Sequence, residues 1–126
     1  MNQLTIESTA TTPELSIDPS ISVLTVKGKF IDDHPNEFML KLSDGFSWLN
    51  NRSATGISFI FQFEYINTGG LKALMLFLKK VEQAKTSETI IQILWNANER
   101  DELMIEMGED LKSVVDLPFE ICTEKN

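Results

Sequence analysis

The chain has 126 residues, 42% hydrophobic and 24% charged, the composition of one soluble globular domain spanning residues 1–126. Folding at this length buries roughly two-thirds of the unfolded chain's surface, so no disulfide or metal staple is required. A net charge of −8 disfavours nucleic acid and anionic membrane as partners, because both recruit clustered lysine and arginine. Cys122 is the only cysteine, which excludes an internal disulfide and suits a reducing cytoplasm. The basic pairs Lys27 with Lys29 and Lys79 with Lys80 read as solvated surface.

Residues 1–12 are rich in threonine and serine, lack the basic start and apolar core of a signal peptide, and are expected to fray. The longest uninterrupted apolar stretch, residues 73–78, is far too short to span a bilayer. Residues 14–17 and 21–30 predict two strands joined as a hairpin by Asp18-Pro19-Ser20. Asp32-Asp33-His34-Pro35 is a turn feeding a helix, with Pro35 suited to its first position and Glu37 to a capping box. Phe38, Leu42, Phe46 and Leu49 mark one face of that helix, and the polar residues 50–56 close it.

Ile57, Phe59, Phe61, Phe63 and Tyr65 then recur at every second position, the period of a half-buried strand over residues 57–65. Leu71, Leu74, Leu78 and Val81 recur at helical spacing and predict a helix over 70–84. Residues 89–95 alternate again, with Ile91, Ile93 and Trp95 on one side. Asn98 reads as the cap of a third helix whose Leu103, Met107 and Leu111 stand four residues apart. Residues 117–122 form a short last strand, with Pro118 marking an edge or a strand start. The order β-β-α-β-α-β-α-β implies an α/β two-layer sandwich: a mixed, mostly parallel sheet of about five strands with helices mainly on one face. Ligands and partners of such sheets meet the loops at the carboxyl ends of strands, and residues 66–70 form one of these loops.

Thr68 lies in that loop and opens the helix that follows. A hydroxyl there faces the orphan N–H groups of a first helical turn, which both accept a cap and favour an anion. Two readings stand side by side: a plain helix cap worth about 1 kcal/mol, or a phosphorylation switch. Gly69 and Gly70 each cost up to about 1 kcal/mol in a helix, so they mark either a plain loop or close approach by another backbone. In the second case Tyr65, Asn67 and Lys72 could frame the contact together with Gly69 and Gly70.

Other chemistry finds little support. His34 has no cysteine or histidine companion, so a zinc site is not expected, and no nucleophile pairs with it. Glu99, Asp101, Glu102, Glu106, Glu109 and Asp110 crowd the third helix, but their spacing matches no cation loop, and a solvated face explains them best. An acidic partner-docking surface is the other reading of those carboxylates. The Asn67-Thr68-Gly69-Gly70 turn lacks the phosphate-loop pattern. Trp48 and Trp95 fit core packing.

Residues 13–121 resemble the SiaC family of bacterial regulatory phosphoproteins. That family's Tyr-Leu-Asn-Thr-Ser-Ser stretch stands here as Tyr65-Ile66-Asn67-Thr68-Gly69-Gly70, and its tryptophan-leucine pair as Trp48-Leu49. Its strand-ending tryptophan is matched by Trp95, and its acidic pattern by Asp101-Glu102, Glu106 and Gly108-Glu109-Asp110. Its closing Pro-Phe is matched by Pro118-Phe119. The chain departs from the family at Gly69 and Gly70, which replace serines, and at His34-Pro35-Asn36-Glu37, which replaces Tyr-Pro-Glu-Asn.

The family is similar in fold to STAS domains, the anti-sigma factor antagonists, whose phosphorylatable serine opens the equivalent helix. The resemblance implies a STAS-like, non-catalytic protein without a cofactor, phosphorylated on Thr68 by a dedicated protein kinase and reset by a PP2C-type phosphatase. It further implies a diguanylate cyclase, or another output protein, as the partner of the unphosphorylated form. Two alternatives stand beside it: an anti-sigma factor antagonist in a partner-switching pathway, and a nucleotide-binding sensor.

Overall fold

The computed structural model describes residues 4–52 and 56–125, which form one six-stranded sheet and three helices. In chain order these are β1 (Leu4–Ile6), β2 (Glu14–Asp18), β3 (Val23–Phe30), α1 (Asn36–Asn50), β4 (Gly56–Ile66), α2 (Thr68–Ala84), β5 (Ile90–Asn98), α3 (Glu102–Val114) and β6 (Phe119–Glu124). The sheet order follows the chain order, with β1, β2 and β3 antiparallel and β3 to β6 parallel. Each parallel step moves the same way across the sheet, so right-handed crossovers put all three helices on one face. The buried apolar residues of the long strands point to that face. Leu15, Ile17, Leu24, Val26, Ile57, Phe59, Phe61, Ile91, Ile93 and Trp95 are buried there beneath Phe38, Leu42, Leu49, Leu74, Leu78 and Leu111. The opposite face keeps Ser58, Gln62 and Asn96 partly open to water and Gln92 exposed, which is why the alternation is so clear. Among the described residues, no helix is long and apolar enough to cross a membrane.

Four expectations change. Of residues 1–12, expected to fray, residues 1–3 lie outside the described residues, and the others include β1. Leu4, Thr5 and Ile6 pair with Ile17, Ser16 and Leu15 as an edge strand. The Thr9 hydroxyl then accepts the Thr12 amide at 2.9 Å, and the Thr11 carbonyl accepts the Ile31 amide at 2.9 Å, so the turn is tied to the body. Pro35 precedes α1 instead of opening it, and because proline has no N–H the capping box through Glu37 cannot form. Glu37 still sits in the first turn, where its charge suits the helix dipole.

On α3 the cap is Asp101, whose carboxylate accepts the Met104 amide at 3.1 Å. Asn98 instead closes the preceding turn by accepting the Arg100 amide at 2.8 Å. The face turned to the sheet is Met104, Gly108 and Leu111, leaving Met107 half-buried and Leu103 56% exposed. Trp95 decides this orientation. Its ring is fully buried, and its indole N–H donates to the Met104 carbonyl at 2.9 Å. Gly108 lies directly over the ring, where an added Cβ would stand 2.5 Å from Cδ1. Gly108→Ala is therefore expected to destabilise the protein by roughly 1–3 kcal/mol through overpacking. Urea unfolding checks it, and an unchanged midpoint would remove the packing argument.

Trp48 is half-buried on α1, with the Arg52 guanidinium 4.1 Å from its ring centroid, a cation–π contact.

Candidate functional site

The site begins with a fault in a strand. Along β4 the inward positions run Ile57, Phe59, Phe61, Phe63, and simple alternation would send Tyr65 inward next. Pairing with β3 breaks first: Gly28 faces Phe63 but Lys29 faces Tyr65, so Glu64 is an extra residue on β4. Gly28 takes a φ of 121°, a left-handed value open to glycine, at this bulge. The phase flips. Ile66 becomes the buried residue and Tyr65 turns out to solvent, 51% exposed.

After the bulge the chain leaves the sheet under firm control. The Asn67 amide donates to the Phe30 carbonyl at 3.0 Å, fixing the loop to the end of β3. The Asn67 side chain then caps α2, its carboxamide oxygen accepting the Gly70 amide at 2.7 Å. Thr68 is thus the first residue inside the helix, not its cap, and it is exposed. That division of labour frees the threonine hydroxyl from a structural task. Asn67→Ala is expected to cost about 1 kcal/mol of stability, and Thr68→Ala far less. Thermal unfolding of both variants checks this, and equal losses would contradict the assignment of the cap.

The two glycines separate. Gly69 is exposed, and an added Cβ would meet the Asn67 carboxamide oxygen at an unstrained 3.7 Å, so a visitor can come close to its backbone. Gly70 is buried instead: an added Cβ would lie 3.0 Å from the Phe30 ring and 3.2 Å from Ile66. It is a packing glycine that lets α2 sit down on β3 and β4, and its expected partner contact is corrected accordingly. Asn67 is likewise occupied by its cap. Tyr65, Thr68, Gly69 and Lys72 remain as the outward residues of the expected set.

Thr68 and Lys72 also line a feature that the sequence did not suggest. A groove of about 400 Å³ opens between α2 and α3, walled by Leu71 and Met75 on one side and by Asp110, Leu111 and Val114 on the other. Thr68 stands on its rim. The only hint in the sequence was the apolar spacing of Leu103, Met107 and Leu111, a stripe that the core uses only in part.

Elsewhere the remaining candidates from the sequence are exposed or serve structural tasks. Among the described residues, no group of three or more His, Cys, Asp or Glu is placed to hold a metal ion. His34 is exposed in its turn, its amide donating to the Asp32 carboxylate at 2.9 Å. The carboxylates Glu99, Glu102, Glu106, Glu109 and Asp110 are exposed, while Asp101 is used as a cap. Cys122 is half-buried on β6; partial burial, with Glu120 and Glu124 alongside, raises its thiol pKa and keeps it protonated at neutral pH.

Residues 6–124 match the family model described as SiaC family regulatory phosphoprotein. An uncharacterised protein of Pseudomonas aeruginosa strain UCBPP-PA14 is 25% identical over 124 residues, covering 96% of both chains. The fold is similar to apo-SiaC from Pseudomonas aeruginosa, with a TM-score of 0.78 at 21% identity over 97% of this chain and 99% of that one. It is also similar to a chain in the crystal structure of the diguanylate cyclase SiaD in complex with its activator SiaC from the same organism. There the TM-score is 0.81 at 21% identity, over 96% of this chain and 99% of the other. With a match over nearly its whole length and the same fold, the chain belongs to the SiaC family of regulatory phosphoproteins.

Proposed function

We propose that residues 1–126 are one non-catalytic regulatory domain whose binding to a diguanylate cyclase is switched by reversible phosphorylation of Thr68. The observation that carries this reading is the placement of the Thr68 hydroxyl: exposed, in the first turn of α2, and on the rim of an apolar groove. A kinase can reach it, and the helix N-terminus tolerates the dianion that results. Membership in a family of regulatory phosphoproteins supports the modification, and a structural relative named as the activator of a diguanylate cyclase supports the output. A dedicated kinase loads the phosphate and a PP2C-type phosphatase removes it. Kinase and cyclase both consume nucleoside triphosphates, which makes the setting cytoplasmic.

Titrating the chain into the diguanylate cyclases of its host, while following GTP conversion to cyclic-di-GMP, tests the reading. One cyclase is expected to gain activity with the unmodified protein and to lose that gain once Thr68 is phosphorylated. If no cyclase responds and an anti-sigma factor is bound instead, the partner-switching alternative takes its place. A kinase that labels the Thr68→Ala protein as well as the parent removes the site assignment.

A further inference from the structure

We propose that the sheet face turned away from the helices is the interface of a homodimer. Two copies pack sheet to sheet about a two-fold axis that runs along the strands between β4 and β5. This inference stands apart from the reading of Thr68: the helices lie on the outer faces of such a dimer, so Thr68 stays accessible in both copies.

The first observation is that this face has no layer over it. Strands β3 to β6 are parallel, and sheets of parallel strands almost always carry a layer on both faces. Here α1, α2 and α3 all lie on the other face. At the centre of the open face Ile60 and Leu94 stand side by side on β4 and β5, both half-buried. Around them come the uncharged Thr25, Ser58, Gln62, Gln92 and Asn96. Charges stand toward the margins, among them Lys27 and Lys29 on β3 and Glu120 and Glu124 on β6. An uncharged centre inside a charged rim is the composition of a protein interface.

The second observation is that the face is complementary to itself. The register puts Thr25, Ile60, Leu94 and Glu120 in one row across the sheet. The next row is Lys27, Gln62, Asn96 and Cys122. Lys27, Gln62, Asn96 and Glu124 also line one shallow dip of about 200 Å³, so their side chains share one surface. Rotation by a half-turn about the axis exchanges β3 with β6 and β4 with β5 while keeping each row at its own height. Ile60 then meets the partner's Leu94, and Gln62 meets the partner's Asn96. Lys27 comes over the partner's β6, between the two carboxylates of that strand. Apolar side chains face apolar ones, amides face amides and ammonium faces carboxylate, each match occurring twice. A two-fold interface demands such self-complementarity.

The third observation is size. Strands lie about 4.8 Å apart and rise about 3.3 Å per residue, so β3 to β6 over the stretch Ser58 to Glu64 cover about 19 by 23 Å in plan. With side chains standing up from it, that footprint is on the scale of the roughly 800 Å² per partner that a stable interface buries. Sheets packed face to face align within about 30° of each other, which a two-fold along the strands allows.

Sedimentation equilibrium of the full chain is expected to show a dimer in the micromolar range. Ile60→Lys sets a charge at the apolar centre and should raise the dissociation constant at least tenfold, as should Lys27→Glu at its exposed position. Glu14 lies beside Lys27 on β2 and would be repelled as well, so the deciding variant is the swap that combines Lys27→Glu with Glu120→Lys. Within one chain these two positions are three strands apart, about 14 Å, which exceeds the Debye length of about 10 Å at 0.1 M salt. Glu120→Lys can therefore restore association only across the interface, and the swap should return the dissociation constant toward the parent value. A chain that stays monomeric throughout the micromolar range overturns the proposal, and so does a dimer that Ile60→Lys leaves intact. A dimer weakened by Lys27→Glu and not restored by the swap overturns the two-fold arrangement. If Val114→Lys dissociates the dimer while the sheet variants do not, the copies meet through their helices and the sheet face is not the interface.

Discussion

Trp95→Ala is expected to cost roughly 3–5 kcal/mol of folding free energy. The side chain is fully buried on β5 and touches elements that come from distant parts of the sequence. Its ring lies 6.0 Å and 5.5 Å from the rings of Phe61 and Phe63 on β4, and 6.3 Å from Phe119 on β6. From the helix side Gly108 closes over it, and the indole N–H holds the Met104 carbonyl at 2.9 Å. Truncation would therefore leave a cavity at the junction of β4, β5, β6 and α3 and strip a donor from the first turn of α3. Domains of this size are stable by only about 5–15 kcal/mol, so the variant should sit near the edge of unfolding at 37 °C. Trp95→Phe keeps much of the ring volume but loses the donor, and should cost about 1–3 kcal/mol. Urea titration of the three proteins measures both differences. If Trp95→Ala unfolded at the parent's midpoint, the tryptophan would not be the keystone of the α3 contact.

How far the sequence carried the structure follows from where each determinant lies. The long strands were legible because burial on one face writes itself as alternation, as in Ile57, Phe59, Phe61 and Phe63. The one-sided helix layer followed from the order of elements and the hand of crossovers. β1 was not legible, since Leu4–Ile6 is a three-residue strand held by pairing with β2 and not by its own pattern. Nor was the direction of Tyr65. It depends on a register shift against Gly28 and Lys29, more than thirty residues upstream in the chain, and no local rule reports a pairing fault. Caps failed in a shared way: Asn98 and Asp101 are both good cap residues, and so are Asn67 and Thr68. Which of two neighbours caps is decided by where the preceding strand releases the chain.

The site was half legible for the same reason. Thr68 could be placed at a helix start from flanking periodicities alone, and it is found there, exposed. The glycines could not be told apart, because only Gly70 has Phe30 and Ile66 above it, and Phe30 belongs to another strand. The groove could not be seen either. Its two walls are separated by a whole β-strand in sequence, and the sequence shows only an apolar stripe on α3 slightly broader than a core needs.

Phosphorylation of Thr68 should weaken cyclase binding by about 100-fold or more while leaving the fold intact, and the contrast between those two readouts is the strongest test of a switch. The fold is insulated. An anion in the first turn of α2 is favoured by about 0.3–1 kcal/mol through the helix dipole, and Lys72 one turn on adds a few tenths. The cap itself is made by Asn67, which the modification does not touch. The unfolding midpoint should therefore hold or rise slightly. Binding has no such insulation. A partner seated on the groove must cover the rim where the phosphate stands, and burying a dianion with only the Lys72 ammonium beside it leaves one charge unpaired, which costs several kcal/mol. Since each 1.4 kcal/mol is tenfold in affinity, a penalty near 3 kcal/mol gives the expected loss. Thr68→Asp carries a single, shorter charge and should lose about tenfold, whereas Thr68→Ala should bind nearly as well as the parent and resist the kinase. Raising the ionic strength from 0.1 to 1 M shortens the Debye length from about 10 to about 3 Å, so it should narrow the gap for the aspartate. Calorimetric titration of the cyclase with each form gives the affinities, and scanning calorimetry gives the stabilities. Equal affinities for modified and unmodified protein would end the switch; a parallel fall in stability would mean that the phosphate acts by loosening α2 and not by guarding the groove.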